Sequence, residues 1–496
     1  MVDVAAIPAR RAEQDPDAPC IEDARTRLTS AQFAARVERL AGGLASLGIG
    51  PADVVATMLP NCAEMVLILF ASWRLGATVT PVNPVLTSEE ADYQLADSQA
   101  KVVVADEAAA LKLAASHTRL IPLDDVAALD GPAPPPRAEP DDLALLVYTS
   151  GTTGQPKGVM LDQANLAAMT DQILEALDIG PDARALLVLP LFHVNGLMVS
   201  VVSPLAAGGS TVILPRFDPK TFWEEAERYR PTYFSAVPTI YFVLSSLPPD
   251  VKPDLSSLHF VVCGAAPMPA EAIGEFEGRY GVPVVEGYGL SEGTVASAIN
   301  PVHGVRKPGT VGLPLPGQEI AIAGEDGQFL AHGEAGEVVV RGANVMRGYL
   351  GRAEETGRTL RDGWLHTGDV GYLDEDGYLV LVDRIKDMII WGGENIYPKE
   401  IENVLLRHPA VQEAAVVGRP NPTYSEEPVA YVSLRPGAHA PAAELIDHCG
   451  RELARFKIPR EVYVWDTLPK NSIGKIIKAP LRDDAASGKA ADLAGS

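Results

Sequence analysis

The chain has 496 residues, of which 47% are hydrophobic and 21% charged, and its formal net charge is −24. This length exceeds one ordinary domain core and predicts two or more domains, and the composition is typical of a soluble globular protein. The acidic balance argues against nucleic acid and anionic membrane surfaces as partners, so any anionic ligand must be held by local donors.

Cysteine and histidine spacing argues against disulfides and structural zinc. The cysteines form no Cys-x-x-Cys pair and are interpreted as small buried side chains in a reducing compartment. They are Cys20, Cys62, Cys263 and Cys449. The histidines show neither a His-Glu-x-x-His motif nor another paired metal-ligand spacing.

The N-terminal part shows no targeting or membrane segment. Residues 10–17 are charged where a signal peptide would need an apolar core. The longest charge-free apolar run of this part, residues 65–73, is too short to span a bilayer. We therefore expect no transmembrane segment and a cytoplasmic location.

Helix and strand patterns alternate from the N-terminus onwards. Helical spacing of apolar residues covers 28–47, 62–75 and 88–98, with Ser88 as the expected N-cap of the third helix. Strand-like runs cover 54–59, 77–82 and 101–105. This alternation predicts an α/β fold, in which helices cover a parallel or mixed sheet.

A loop rich in hydroxyl groups and glycine follows the strand pattern at residues 143–148. It carries Lys157, and a helical pattern opens at Asp162. Glycines allow the backbone to approach a phosphate, hydroxyls donate hydrogen bonds and the lysine adds a positive charge. The loop lacks the Gly-Lys-Ser/Thr ending of the common P-loop. A flexible surface turn is the alternative, but the density of donors favours phosphate binding.

Clusters of small and polar residues follow the next predicted strands, 185–189, 233–237, 260–263 and 284–286. The clusters are residues 190–196, 264–266 and 287–292. Ligands collect at the carboxyl ends of strands in open α/β sheets, so we expect these clusters to line one crevice.

The pattern changes after residue 310 to short strands at 318–322, 336–341 and 377–382, which predict a small β subdomain. The charged stretch 383–387 separates this part from a compact α+β region. We predict a large N-terminal domain (1–383), a hinge (384–387), a mobile C-terminal domain (388–482) and a disordered tail (483–496).

Residues 148–158, YTSGTTGQPKG, resemble the phosphate-binding motif of the adenylate-forming superfamily. That superfamily includes acyl- and aryl-CoA synthetases, luciferases and the adenylation domains of peptide synthetases. Further segments match its pattern in order, so the resemblance covers nearly the whole chain. They are residues 288–292 (YGLSE), 364–369 (WLHTGD), 392–398 (GGENIYP) and 468–476 (LPKNSIGKI).

The resemblance implies an ATP and AMP site. Within it, Tyr288 would stack near the adenine, Asp369 would bind the ribose hydroxyls and Arg384 would contact ribose and phosphate. Glu292 and Thr152 would hold Mg²⁺, and Lys475 would be the main catalytic residue, assisted by His193, Thr152 and Glu292. The full set of implied nucleotide contacts is Thr149, Ser150, Gly151, Thr152, Thr153, Gly154, Lys157, Gly264, Ala265, Ala266, Glu286, Gly287, Tyr288, Gly289, Leu290, Ser291, Asp369, Arg384 and Lys475. Without the family, Lys475 alone would be interpreted as a solvated surface charge, and for Glu292 a surface charge and a metal ligand would both stay open.

The implied reaction has two halves. A carboxylate attacks the α-phosphorus of ATP to give acyl-AMP and pyrophosphate, and the thiol of CoA then attacks the mixed anhydride. By the same resemblance the C-terminal domain turns about Lys386 between the halves, which removes Lys475 from the site. Gly392, Gly393 and Trp391 would then line the CoA channel.

The acyl pocket is expected to bind an uncharged aryl or medium to long aliphatic tail. Its segments carry no Arg or Lys for a second carboxylate, and residues 193–196 carry no aspartate for an amino group. Asn195 and Ser297 either bind a polar substituent or satisfy local backbone. The expected lining is His193, Val194, Asn195, Ala236, Ala265, Gly289, Val295 and Ala296.

Several alternatives remain open at this point. The acyl group could pass to the phosphopantetheine arm of a carrier protein instead of CoA, or only one half-reaction could be retained. A non-catalytic nucleotide sensor and a luciferase-like oxygenase are two further readings. The sequence also leaves open whether the chain forms a homodimer.

Overall fold

The computed structural model describes residues 2–114, 116–149, 155–266, 268–324, 326–384, 387–391, 394–470 and 476–487. Some residues singled out above lie outside these ranges, and their roles stay predictions. They are Ser150, Gly151, Thr152, Thr153, Gly154, Lys386, Gly392, Gly393 and Lys475.

The chain divides into two compact units. The first contains the residues up to Ile320 together with Val339–His366, and the second contains Ala321–Val338 and the chain from Thr367 onwards. The predicted domain boundary at 383 differs from this division, and two of the predicted hinge residues are not described. The domain boundaries therefore stay a prediction.

The helices of the described residues, in chain order, are α1 (Ile7–Gln14), α2 (Ser30–Ser46), α3 (Ala63–Arg74), α4 (Ser88–Asp97), α5 (Glu107–Lys112), α6 (Gln163–Ala176), α7 (Val194–Leu197), α8 (Ser203–Ala206), α9 (Phe222–Tyr229), α10 (Pro238–Ser245), α11 (Ala270–Tyr280), α12 (Ala353–Thr359), α13 (Pro398–Leu406), α14 (Ala442–Gly450) and α15 (Ala479–Ser487). Met198–Val202, between α7 and α8, has π-helical geometry. None of these helices is both long enough and apolar enough to cross a bilayer.

The strands of the same residues are β1 (Pro19–Glu22), β2 (Arg27–Thr29), β3 (Val54–Met58), β4 (Thr78–Pro81), β5 (Val102–Ala105), β6 (Arg119–Pro122), β7 (Leu143–Thr149), β8 (Lys157–Asp162), β9 (Arg184–Leu187), β10 (Ser210–Ile213), β11 (Tyr233–Ala236), β12 (Phe260–Cys263), β13 (Val284–Tyr288), β14 (Ala298–Ile299), β15 (Leu313–Pro314), β16 (Glu319–Ala323), β17 (Gly336–Arg341), β18 (Gly348–Tyr349), β19 (Leu360–Arg361), β20 (Trp364–Leu373), β21 (Leu379–Arg384), β22 (Ile389–Trp391), β23 (Glu394–Ile396), β24 (Val411–Asn421), β25 (Ser425–Leu434) and β26 (Glu461–Val464).

Two mixed sheets form the first unit. The nine-stranded sheet has the order β15-β14-β13-β12-β11-β9-β10-β1-β2, and the seven-stranded sheet has the order β18-β8-β7-β4-β3-β5-β6. The neighbouring strands β9, β11, β12 and β13 are all parallel, so their carboxyl ends meet at one edge. The predicted α/β fold with helices over a mixed sheet is confirmed.

Alternation along the strands sends apolar side chains to both faces of each sheet. The main core lies between the two sheets and includes Phe33 of α2 and Phe70 of α3. Helices α9, α10 and α11 cover the other face of the nine-stranded sheet, where Phe276 packs. Helices α4 and α5 cover the other face of the seven-stranded sheet, around Leu95. Sheets buried on both sides explain the nearly continuous apolar runs of these strands.

The second unit contains a smaller sheet in the order β23-β22-β25-β24, with β26 beside β25. Helices α13 and α14 pack on one face through Ile401 and Leu445. Helix α15 packs on the other face through Leu481, against Tyr431. Strand β20, which contains Asp369, pairs with β21 in antiparallel register.

The helical pattern predicted to open at Asp162 is confirmed, because Asp162 ends β8 and caps the N-terminus of α6. Two local predictions need correction. The N-cap of α4 is Thr87 rather than Ser88, because Thr87 and Glu90 form a reciprocal capping box. The predicted disorder is wrong for residues 483–487, which continue α15 and bury Ala485.

Candidate active site

The clusters that follow the strands of the nine-stranded sheet lie together. The hydroxyl of Ser235, at the end of β11, donates a hydrogen bond of 2.9 Å to Oδ1 of Asn195, which follows β9. A Cβ atom added to Gly264, after β12, would lie 3.7 Å from Nδ2 of Asn195 and 3.6 Å from the carbonyl oxygen of Gly287 in β13. These clusters therefore share one sheet edge, and the crevice that they are expected to line stays a prediction.

The backbone at this edge is unusually constrained. A Cβ atom on Gly289 would lie 1.9 Å from the carbonyl oxygen of Val295, so only glycine lets these segments touch. Ala265 and Thr294 adopt left-handed conformations, with φ of 68° and 67°. Non-glycine residues in this region cost about 1 kcal/mol or more and concentrate at functional sites.

His193 presents a neutral ring at the same edge. Burial lowers the pKa of its imidazole from 6.5 to about 4. Its Nε2 is buried and has no hydrogen-bond partner among the described residues. A buried nitrogen without a partner is costly, so this atom is well suited to meet a ligand.

The expected acyl lining combines buried apolar and neutral polar groups. Val194, Ala236 and Val295 are buried. Ser297 is fully buried, and its hydroxyl has no partner within the described part of the chain. The amide of Asn195 is oriented through Oδ1 by Ser235, which leaves Nδ2 without a described partner. Sequence reasoning places Ser235 in a segment that lines the acyl pocket but misses its contact with Asn195, because the two residues are far apart in the chain.

The turn that carries Glu292 is held by residues that follow β17. The hydroxyl of Tyr349 donates a 2.8 Å hydrogen bond to Oε1 of Glu292. The amide of Met346 donates to the carbonyl of Glu292 at 2.8 Å, and Nδ2 of Asn344 donates to the carbonyl of Gly293 at 2.9 Å. Burial raises the pKa of Tyr349, so its hydroxyl remains a donor. No local sequence signal connects Asn344 or Tyr349 with Glu292.

Lys157 begins β8, and its Cα is paired with that of Thr149 in β7. Strands β7 and β8 are therefore antiparallel neighbours in the seven-stranded sheet. The ammonium group of Lys157 forms an ion pair with Glu355 of α12 and lies 5.1 Å from the ring of Tyr349.

The other predicted nucleotide contacts in this unit range from buried to exposed. Glu286 is buried, and its Oε1 accepts a 3.0 Å hydrogen bond from the amide of Met268. Tyr288 is also buried and pairs with Ala298 of β14. Ala266, Leu290 and Ser291 are half-buried and Ala265 is exposed.

The second unit contains the residues predicted to bind the ribose and one residue predicted to line the CoA channel. Arg384 Nε donates a 2.8 Å hydrogen bond to Oδ1 of Asp369, whose side chain is nearly buried. Trp391 stacks on Tyr424 with ring centroids 3.9 Å apart, and the guanidinium of Arg460 lies 4.5 Å from the Trp391 ring.

The described residues fit a magnesium ion bound together with phosphates. None of them forms a group of three acidic, cysteine or histidine side chains able to hold a metal alone. Mg²⁺ usually takes one or two protein carboxylates plus substrate phosphates and water. Among the described hydrogen bonds only Oε1 of Glu292 is engaged, which leaves Oε2 for such a ligand.

The family description AMP-binding enzyme matches residues 8–350, and AMP-binding enzyme C-terminal domain matches residues 400–475. A feruloyl-CoA synthase from Amycolatopsis sp is 40% identical over 479 residues, which cover 96% of this chain and 97% of that protein. A sulfoacetate–CoA ligase from Cupriavidus necator is 38% identical over 502 residues, 97% of this chain and 98% of that protein.

The crystal structure of ATP-bound MatB from Rhodopseudomonas palustris superimposes with a TM-score of 0.91 at 34% identity, over 97% of this chain and 98% of that chain. The resemblance drawn from the sequence motifs is therefore confirmed. This chain belongs to the AMP-binding enzyme family and is an AMP-forming acyl-CoA synthetase, which uses ATP and CoA as substrates.

Proposed function

We propose that the acid substrate carries an uncharged tail, either aryl or medium to long aliphatic. The observation that carries this proposal is the neutral lining of the sheet edge. Its polar atoms are the amide of Asn195, the hydroxyl of Ser297 and the imidazole of His193, which burial keeps uncharged at neutral pH. A second carboxylate placed among them would be buried without a counter-ion, at a cost of several kcal/mol.

The two curated relatives bear on this choice in opposite ways. Ferulate is an aryl acid with uncharged polar substituents, which could meet Nδ2 of Asn195 or the hydroxyl of Ser297. Sulfoacetate carries a second anionic group, for which the described lining offers no cation. The neutral groups therefore support the first kind of acid for this chain.

We propose the following roles in the first half-reaction. Thr149, Lys157 and the loop 150–154 hold the β- and γ-phosphates, and Tyr288 with residues 264–266 surrounds the adenine. Asp369 and Arg384 bind the ribose. Glu292, with Thr152, would hold Mg²⁺, which would neutralise charge on the phosphates.

The acid's carboxylate oxygen then forms a bond to the α-phosphorus, and the bond from that phosphorus to pyrophosphate breaks. Lys475 would bridge the two anions, so the protein contributes positioning and charge stabilisation. In the second half-reaction the CoA thiolate attacks the acyl carbon and AMP leaves. Trp391, with Gly392 and Gly393, is proposed to line the path of the thiol.

We also propose a cytoplasmic location. All four cysteines are free and buried, and burial raises the thiol pKa of Cys20 to about 11 and that of Cys62 to about 12. Unpaired, unreactive thiols are typical of proteins in reducing compartments.

A panel of acids tests the substrate proposal. Ferulate, cinnamate, octanoate and palmitate are compared with malonate, oxalate and sulfoacetate, each with ATP, Mg²⁺ and CoA, and the thioester and AMP are followed by mass. We expect kcat/KM for at least one uncharged-tail acid to exceed that for every dianionic acid. A higher kcat/KM for a dianion would overturn the proposal while leaving the ligase chemistry intact.

A further inference from the structure

The Lys157 ammonium group, which lies over the ring of Tyr349, has one ion-pair partner among the described residues, and this partner is a carboxylate. Glu355 forms the ion pair with Lys157, and the side chains of Lys157 and Glu355 are 12% and 26% exposed. The proposed role of Lys157 is to hold a departing phosphate. The charge of Lys157 is thus already neutralised from within the protein.

The backbone fixes Glu355 in this place. Strand β18 pairs with β8, with Tyr349 opposite Val159, and the amide of Leu350 donates to the carbonyl of Gly158 at 2.8 Å. The amide of Tyr349 donates to the hydroxyl of Thr356 in α12 at 2.9 Å. These bonds place the first turn of α12 beside the start of β8, where Lys157 lies.

We propose that Glu355 competes with phosphate for Lys157. The carboxylate holds the ammonium group in the nucleotide-free chain and must release it when the triphosphate or pyrophosphate binds. Glu355 thereby weakens the binding of both and favours release of pyrophosphate. This inference rests on the proposed phosphate role of Lys157.

The sign of the effect follows from charge. A polyphosphate that displaces Glu355 must break an ion pair in a partly desolvated place, and it then lies close to a freed carboxylate. Replacing Glu355 by glutamine removes both costs and leaves the ammonium group unpaired. A pair of this exposure is worth about 1 kcal/mol, which corresponds to about a fivefold change in affinity.

The adjacent Glu354 supplies a matched control. It lies in the same helix, is exposed, and pairs with Arg358 rather than Lys157. Glu354→Gln therefore removes the same charge from α12 without touching the lysine.

The experiment measures the dissociation constant of MgATP by calorimetry and the inhibition constant of pyrophosphate in the full reaction. The proteins are the wild type, Glu355→Gln, Glu354→Gln, Lys157→Gln and the double variant Lys157→Gln/Glu355→Gln, all checked for folding by thermal unfolding. We expect Glu355→Gln to lower both constants about fivefold, Glu354→Gln to leave them unchanged, and Glu355→Gln to have no effect in the Lys157→Gln background.

Each other result has a distinct meaning. Unchanged or weaker binding in Glu355→Gln overturns the competition, as does an equal effect of Glu354→Gln. An effect of Glu355→Gln that persists in the Lys157→Gln background also overturns it, because the carboxylate would then act on the phosphates by long-range electrostatic repulsion. If Lys157→Gln leaves both constants unchanged, the proposed phosphate role of Lys157 fails and the competition fails with it. Glu355→Ala serves as a second variant should the glutamine variant not fold.

Discussion

Two lysine–glutamate pairs in this chain have similar chemistry but different surroundings. In the first unit Lys157 pairs with Glu355, and in the second unit Lys478 pairs with Glu402 at 2.7 Å. Both lysines are largely buried. The pairs differ in how many further partners the carboxylate has.

Glu402 belongs to a saturated network. Its Oε1 also accepts a 2.9 Å hydrogen bond from the amide of Val416, and Lys399 lies 3.6 Å from Oε2. Burial alone would raise the pKa of Glu402, but Lys478 and Lys399 hold it below its usual value. Burial likewise opposes the charge of Lys478, yet Glu402 and Asp383 raise its pKa.

Glu355 has no partner other than Lys157 among the described residues. The side chain of Glu355 is 26% exposed, so water can solvate its carboxylate when Lys157 leaves, whereas Glu402 is buried. A lysine–glutamate pair is therefore structural when water cannot replace the partner and exchangeable when water can. By this criterion the Lys157–Glu355 pair is the exchangeable one.

The largest expected effect is on stability and tests this comparison directly. Glu402→Ala removes the ion-pair partner of both Lys478 and Lys399 and the acceptor of the Val416 amide, so we expect the free energy of unfolding to fall by about 3–5 kcal/mol. Glu355→Ala removes one ion pair whose carboxylate is partly exposed, so it should cost about 1 kcal/mol. Chemical denaturation of both variants measures the difference, and equal losses would contradict the distinction.

Tyr349→Phe is expected to change function more than stability. Its hydroxyl orients Glu292, and loss of such outer contacts typically weakens metal binding about tenfold or more. The Mg²⁺ concentration that gives half-maximal activity should therefore rise by about that factor. Binding of ATP without a divalent ion should not change, and a parallel loss there would instead show general damage to the site.

Ser235→Ala tests a supporting contact in the acyl pocket, and it too is expected to change function more than stability. Without the hydroxyl the amide of Asn195 loses its orienting donor, so KM for a preferred acid should rise about fivefold at nearly constant kcat. Ser235→Thr keeps the hydroxyl and should restore KM in part. If KM rises equally for acids with and without a polar substituent, Asn195 does not recognise that substituent.

His193 carries the smallest expected effect. The pKa of its ring is lowered by burial to about 4, so the ring stays neutral as the pH falls through the usual value of 6.5. KM for the acid should therefore show no His193-dependent step near pH 6.5, and wild type and His193→Asn should have parallel pH profiles there. A step in the wild type alone would mean that the ring takes up a proton near pH 6.5, which would contradict the lowered pKa.

Much of the fold followed from local pattern. The strands Phe260–Cys263 and Gly336–Arg341 have the bounds that their apolar runs predict. Strand β20 was missed, because Trp364–Leu373 mixes glycine and polar residues and is stabilised by its neighbours rather than by its own pattern.

The α/β class, the order of the motifs and the meeting of clusters at the strand ends follow from the amino-acid sequence, because period and strand polarity are local properties. Which side chains support these clusters depends on tertiary contacts. Ser235 with Asn195, Tyr349 with Glu292 and Glu355 with Lys157 are contacts between distant residues. No local period encodes such contacts, since they arise when parallel strands and one short antiparallel strand bring distant segments together.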